Sequence, residues 1–301
     1  MAVAARSVAV PREAARSVVA RRTVGRVLTY AALVLWSIVC LFPLYWVVTT
    51  SIKNPVAIYE GPKYLPWIEW DPVDIGWQNV LQPGRRDRFV QRFENSLIIS
   101  VAAAAVATVL GALAGYGLAR FNYKFGPWRN RDISIWFVSQ LILPPAAVVM
   151  PILILYKELH LFDTRLGLIL LYSVVNLPIV IWIMRDQFNT IPIELEQAAL
   201  VDGATIFGAF ARIVLPIAGP GLVAAFILCL ILSWNEYFFA LVLTATDAVT
   251  LPALISSQIG SQGVQWWNMA AVTTAAIAPL AIIGVLLERY IVKGLTAGAV
   301  K

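Results

Sequence analysis

The chain has 301 residues, 60% of them hydrophobic and only 13% charged, which leaves too little charged surface for ordinary soluble domains. Its formal charge of +6 is spread between long apolar blocks and is not gathered into a basic stripe with aromatics, so nucleic acid is excluded as the intended partner. Two cysteines inside apolar blocks, Cys40 and Cys229, and a lone histidine near a short loop, His160, give neither a disulfide framework nor a metal site.

In chain order, a basic tail (1–26) leads into six apolar stretches, 27–50, 96–117, 133–156, 166–184, 215–244 and 269–287, with a second tail at 288–301. About 20 apolar residues span the hydrocarbon of a bilayer, so an all-α integral membrane protein with six transmembrane helices is expected over 27–287. Strand-length alternation is absent, which argues against a barrel. The first stretch is too long for a signal-peptide core and no small-residue cleavage site follows it, so it is expected to be retained.

The first connection, about 51–94, carries Trp67, Trp70 and Trp77, expected at the membrane interface, and then Arg85, Arg86, Arg88 and Arg92. These arginines either pair with Asp87, Glu94 or lipid phosphate, or attract an anionic solute or an acidic patch on a delivery protein. Gln140 in the third stretch and Asn176 in the fourth are polar candidates for a solute route, and Pro144, Pro145 and Pro178 free carbonyls where spans can kink. In the fifth, Asn235 and Glu236 are expected to face protein or a wet cavity. They either line a route for solute or bond across helices.

Between the fourth and fifth stretches lies a connection, 191–216, unlike an ordinary loop. Pro192 suits a first helical turn, Glu194 and Glu196 suit a helix N-terminus, and 195–201 is a good helix former. Asp202 and Gly203 then signal a break, followed by a second short helix with Phe207, Phe210 and Val214 on one face. Small Ala198 and Ala199 permit close approach to a groove on another protein. An amphipathic connector resting on the bilayer fits the same residues.

Fifteen of the 23 basic residues fall in the two tails and in the second-to-third and fourth-to-fifth connections, which places both termini in the cytoplasm. No phosphate-cradling loop with a Lys-Ser or Lys-Thr ending, nucleophile elbow or zincin motif occurs, so no catalytic residue is assigned and any energy source lies outside the chain. An ion-coupled secondary transporter is the alternative, although Glu236 has no counterpart in the first three stretches.

The 191–216 segment resembles the EAA loop of ABC importer permeases. Ala198, Ala199, Gly203, Ile213, Leu215 and Pro216 stand at that pattern's spacings, while Gln197 replaces its glutamate and Glu196 precedes it. Further along the chain, Asn95-Ser96, Leu143-Pro144-Pro145, Asn176-Leu177-Pro178, Trp234-Asn235-Glu236 and the ending 289–301 are similar, in order, to the smaller, six-span permeases of the maltose-type carbohydrate uptake family. The resemblance implies the type I, MetI-like permease fold and import of a sugar or sugar derivative across a bacterial or archaeal inner membrane. It implies as partners a second permease subunit in a heterodimer, two copies of an ATPase that hold ATP and magnesium, and an extracytoplasmic solute-binding protein. This chain itself would bind no cofactor. Residues 194–203 would dock on the ATPase, with either Glu196 making an ionic contact or Gln197 a neutral one, and Gly294 and Gly298 would let the C-terminal tail reach it too.

Overall fold

Long apolar helices and short amphipathic ones alternate in the computed structural model, which describes residues 12–260 and 263–296, with side chains for 23–259 and 263–286. The basic residues Arg6 and Lys301 and the tail position Gly298 lie outside the described residues, as do the side chains of Arg12 to Arg22 and of Arg289 and Lys293.

Among the described residues the helices run α1 (Arg12–Ser51), α2 (Pro55–Tyr59), α3 (Ile75–Leu81), α4 (Arg85–Arg120), α5 (Asn130–Ser139), α6 (Pro145–Glu158), α7 (Arg165–Asn189), α8 (Glu194–Val201), α9 (Ile206–Ala209), α10 (Leu215–Ile217), α11 (Gly219–Trp234), α12 (Phe238–Leu243), α13 (Leu251–Ser256) and α14 (Trp266–Thr296). Two antiparallel hairpins of two-residue strands interrupt them, β1 (Lys124–Phe125) with β2 (Trp128–Arg129) and β3 (Ile259–Gly260) with β4 (Gly263–Val264).

Four helical segments, Thr23–Ser51, Arg85–Arg120, Arg165–Asn189 and Trp266–Leu286, are each long and apolar enough to cross a membrane. Two bent pairs, Asn130–Ile142 with Pro145–Glu158 and Ile206–Ile217 with Gly219–Trp234, complete six spans. The third and fifth stretches are therefore not the continuous helices expected. The third turns by 91° at Leu143-Pro144-Pro145. A residue before proline is driven out of the α region, and here both Leu143 and Pro144 precede one and take extended ψ values of 119° and 130°. The fifth bends by 75° around Ala218 and breaks again after Trp234. Pro178, by contrast, sits inside the unbroken α7.

The core is a seam between α4 and α7. Ala103, Ala104, Ala107, Gly111 and Gly115 of α4 are all buried. A Cβ at Gly111 would lie 2.5 Å from the Val180 side chain, and one at Gly115 would lie 2.9 Å from the Arg185 backbone nitrogen. Small residues four apart let two helix backbones meet this closely where lipid supplies no hydrophobic drive. The other helices pack around this pair, α11 against α4, α7 and α14, and α1 against α14. Most of α1 stays exposed, from Val24 to Phe42, as befits a helix whose neighbours are lipid or another subunit.

The first connection is ordered. Lys53, only 3% exposed, donates to the Lys63 carbonyl and lies 4.2 Å from the Trp46 ring centroid and 5.2 Å from that of Trp70. Of the three tryptophans expected at the interface only Trp67 is free, at 75% exposure. Trp70 is buried by this cation, and Trp77 donates to Ser51 Oγ at 3.2 Å.

Candidate functional site

The segment after α7 folds as the residue pattern dictates. Ile193 leads into α8, which ends in a left-handed Gly203 at φ +88°. Gly203 N–H donates to the Leu200 carbonyl at 3.1 Å and Ala204 N–H to that of Ala199 at 2.9 Å, the paired bonds of a glycine-terminated helix end. Thr205 then caps α9, its Oγ1 accepting from Gly208 N–H at 3.0 Å. A widened π turn, Phe210–Val214, joins α9 to α10.

Two faces of this helix pair differ in kind. The inward face carries Glu196 and Ala199 from α8, followed by Ala209, Phe210 and Val214, all buried. Glu196 forms an ion pair with Arg120 at the end of α4, and both side chains are under a tenth exposed. The Tyr116 hydroxyl donates to the second Glu196 oxygen at 2.7 Å, and Arg120 Nη2 donates to the Ile191 carbonyl at 2.9 Å. Phe210 packs against Tyr116, the rings tilted by 46° with centroids 4.4 Å apart. The carboxylate thus has partners on both oxygens, which a buried charge requires.

The outward face carries Glu194, Gln197, Ala198 and Asp202, all exposed, with Val201 at 88% and Phe207 at 71% exposure. Phe207 was expected beside Phe210 and Val214. Its ring lies 6.4 Å from that of Phe210 but, unlike Phe210 and Val214, stays exposed. Ile213 and Leu215 are half-buried and Pro216 is exposed at the start of the fifth span.

A family model described as the binding-protein-dependent transport system inner membrane component matches residues 107–297. The chain belongs to that family. The inner membrane ABC transporter permease protein YcjP of Escherichia coli is 33% identical, over 93% of this chain and 98% of its own length. The trehalose transport system permease protein SugB of Mycobacterium tuberculosis is 34% identical, over 87% of this chain and 92% of its own. A crystal structure of a bacterial ABC transporter involved in the import of the acidic polysaccharide alginate aligns with 89% of this chain and 96% of the matched one, at a TM-score of 0.70 and 21% identity, and so shares the fold. This binding-protein-dependent permease is a multi-pass membrane protein, a transport component and not an enzyme, and membership sets aside the ion-coupled alternative.

The polar residues named within the spans of this permease have the following partners among the described residues. Asn176 Nδ2 donates to Ser233 Oγ at 2.9 Å, joining α7 to α11. Glu236 accepts from the Tyr172 hydroxyl at 2.5 Å, and its carboxylate also receives the N–H groups of Phe239 and Ala240 at 2.8 and 3.2 Å, capping α12. These two hold helices together. Asn235 is exposed and bonds only its own helix, at the Ile231 carbonyl, and Gln140 is exposed at the bend of the third span.

At the other end of α4 a second polar cluster was not singled out from sequence. The fully buried Asn95 donates to the Asp247 and Val249 carbonyls at 2.7 and 2.9 Å and accepts from Arg165 Nε at 2.7 Å. Ser96 Oγ accepts from Leu251 N–H at 2.7 Å. Asp163 receives the N–H groups of Ala245, Thr246, Asp247 and Ala248. Partial burial pushes its carboxyl up, but these donors together outweigh that and hold it at about 2. The signal for this clamp was the pair Asn95-Ser96 opening an apolar run, visible only as a family likeness.

Proposed function

We propose that the chain is one of two permease subunits of an ABC importer for a sugar or sugar derivative, and that α8 and α9 are its coupling element. The observation that carries this reading is the two-sided helix pair. One face is anchored through Glu196 to Arg120 and Tyr116, and the other offers Gln197, Ala198, Val201 and Phe207 to a partner. A helix gripped at its back by the bundle moves as a lever when a partner grips its front.

In this reading Glu196 serves the bundle and Gln197 meets the ATPase through a neutral hydrogen bond, with Val201 and Phe207 entering an apolar groove. Two ATPase copies hold ATP and magnesium. A second permease subunit completes the pathway, and an extracytoplasmic binding protein delivers the solute. The excess of arginine and lysine at the α8 end supports a cytoplasmic position for that end and for both termini. A trehalose system among the relatives, and one for diacetylchitobiose, favour a saccharide cargo.

The test is capture of the ATPase by the detergent-solubilised permease pair, followed by uptake in proteoliposomes. Val201→Asp and Phe207→Asp should each abolish capture while leaving the permease folded. Uptake driven by an ion gradient with no ATPase present, or capture unchanged in both variants, overturns the reading.

A further inference from the structure

The arginines that open α4 border a cavity of about 220 Å³ at the end of the bundle opposite α8. Arg85, Arg88 and Arg92 reach it from three positions on one helix face, and no carboxylate lines it. The only ion pairs among the described residues are Lys63–Glu60 and Arg120–Glu196, so neither Asp87 nor Glu94 pairs directly with this cluster. Arg92 Nε is buried without a hydrogen-bond partner among the described residues, an orphan donor of the kind a ligand oxygen satisfies.

The rest of the wall suits a sugar. Asn79 Nδ2 donates to Asn268 Oδ1 at 3.1 Å and Asn268 Nδ2 to Gln265 Oε1 at 2.6 Å, an ordered row of amides beside the guanidinium groups. Val80 and Phe89 supply an apolar surface. Guanidinium forks match the planar oxygens of a carboxylate, amides match hydroxyls, and an apolar side chain matches a ring face.

We propose that this cavity is an extracytoplasmic binding site for the anionic group of an acidic sugar, a carboxylate or equivalent oxyanion, held by Arg85, Arg88 and Arg92. The inference deepens the saccharide-import reading and rests on it. The dipole of α4, whose positive end lies at Arg85, adds to the attraction.

The test uses the whole transporter complex in lipid nanodiscs, with glucuronate and galacturonate against glucose and galactose in equilibrium dialysis. At least one uronate should bind about tenfold or more tightly than its neutral counterpart, and more weakly as salt rises. Arg88→Gln and Arg92→Gln should each remove most of that preference. Arg86→Gln, which does not line the cavity, should keep it. Equal binding of acid and neutral sugars, or the same loss from Arg86→Gln, overturns the site. So does weaker docking of the delivery protein with uronate binding unchanged, because the arginines then meet a protein carboxylate. ATP-driven uptake of a neutral sugar at full rate in Arg88→Gln and Arg92→Gln, with no uronate preference in the unaltered complex, removes this inference and leaves the importer standing. Failure of the unaltered complex to take up any saccharide strikes the importer reading itself.

Discussion

The two ends of the bundle are fastened by opposite strategies. At the Asn95 end of α4, Asn95, Ser96 and Asp163 bond to backbone groups between Leu243 and Leu251, so many short links share the task. At the α8 end Glu196 joins α8 to α4 through Tyr116 and Arg120, and the same two side chains also hold the Ile191 carbonyl and the Phe210 ring. A segment tied by many backbone bonds resists displacement as a unit. One whose polar links gather on a single buried carboxylate depends far more on one substitution. The contrast is between a fastening shared among many backbone groups and one concentrated on a carboxylate.

The largest expected effect tests the fastening gathered on Glu196. Glu196→Ala leaves Arg120 buried without its partner, a loss of about 3–5 kcal/mol for a pair of this kind. It should show as a lower unfolding midpoint and loss of ATP-driven uptake. The double variant with Arg120→Ala should lose clearly less stability than the sum of the two single ones. Additive losses would mean that the pair is not the tie.

Next comes the seam that keeps the two ends in register. Gly111→Val drives a side chain into Val180 and should cost about 1–3 kcal/mol or more, read by unfolding in mild detergent. Equal stability would mean that α4 and α7 can separate freely.

A third experiment separates the ends by pH. Asp163 titrates at about 2 in the fold against an ordinary 3.8, so the stability it confers is present above 3.8 and fades as pH falls through about 2. The protection of the Ala245–Ala248 amides against hydrogen exchange, relative to free-peptide rates at each pH, should fall as acid is added across that window. Asp163→Asn should already exchange fast at neutral pH and show no such step. A step that persists in Asp163→Asn would assign the acid sensitivity elsewhere.

The smallest effect belongs to the exposed face. Gln197→Ala should leave the unfolding midpoint within about 0.5 kcal/mol of the original and reduce coupled ATP hydrolysis only severalfold. A drop as deep as that of Glu196→Ala would place the main ATPase contact at Gln197 alone.

Much of this architecture could be read in advance, because it rests on local physics. Six apolar stretches, the α8 helix and the turn at Gly203 follow from length, propensity and the one residue free to take positive φ. What could not be read depends on distant partners. That Glu196 points inward is decided by Tyr116 and Arg120, 80 and 76 residues away. Nothing in the spacing of 191–216 reveals them. The bend of the third span was legible as a proline pair but not in size, since 91° depends on what packs beside it. The seam at Gly111 and Gly115 was hidden in plain composition, where an alanine-rich run conceals which small residues touch a neighbour. The amide-lined cavity beside Arg92 needs four helices at once, and no stretch of chain announces it.

The near contact of α4 and α7 has a mechanical consequence. Val180 sits in the notch left by Gly111 like a tooth in a ratchet, so the two helices cannot slide lengthwise without first being pried apart. A pair held this way moves as one piece, and the helical ladder is already interrupted elsewhere, at the 91° elbow of the third span and the break after Trp234.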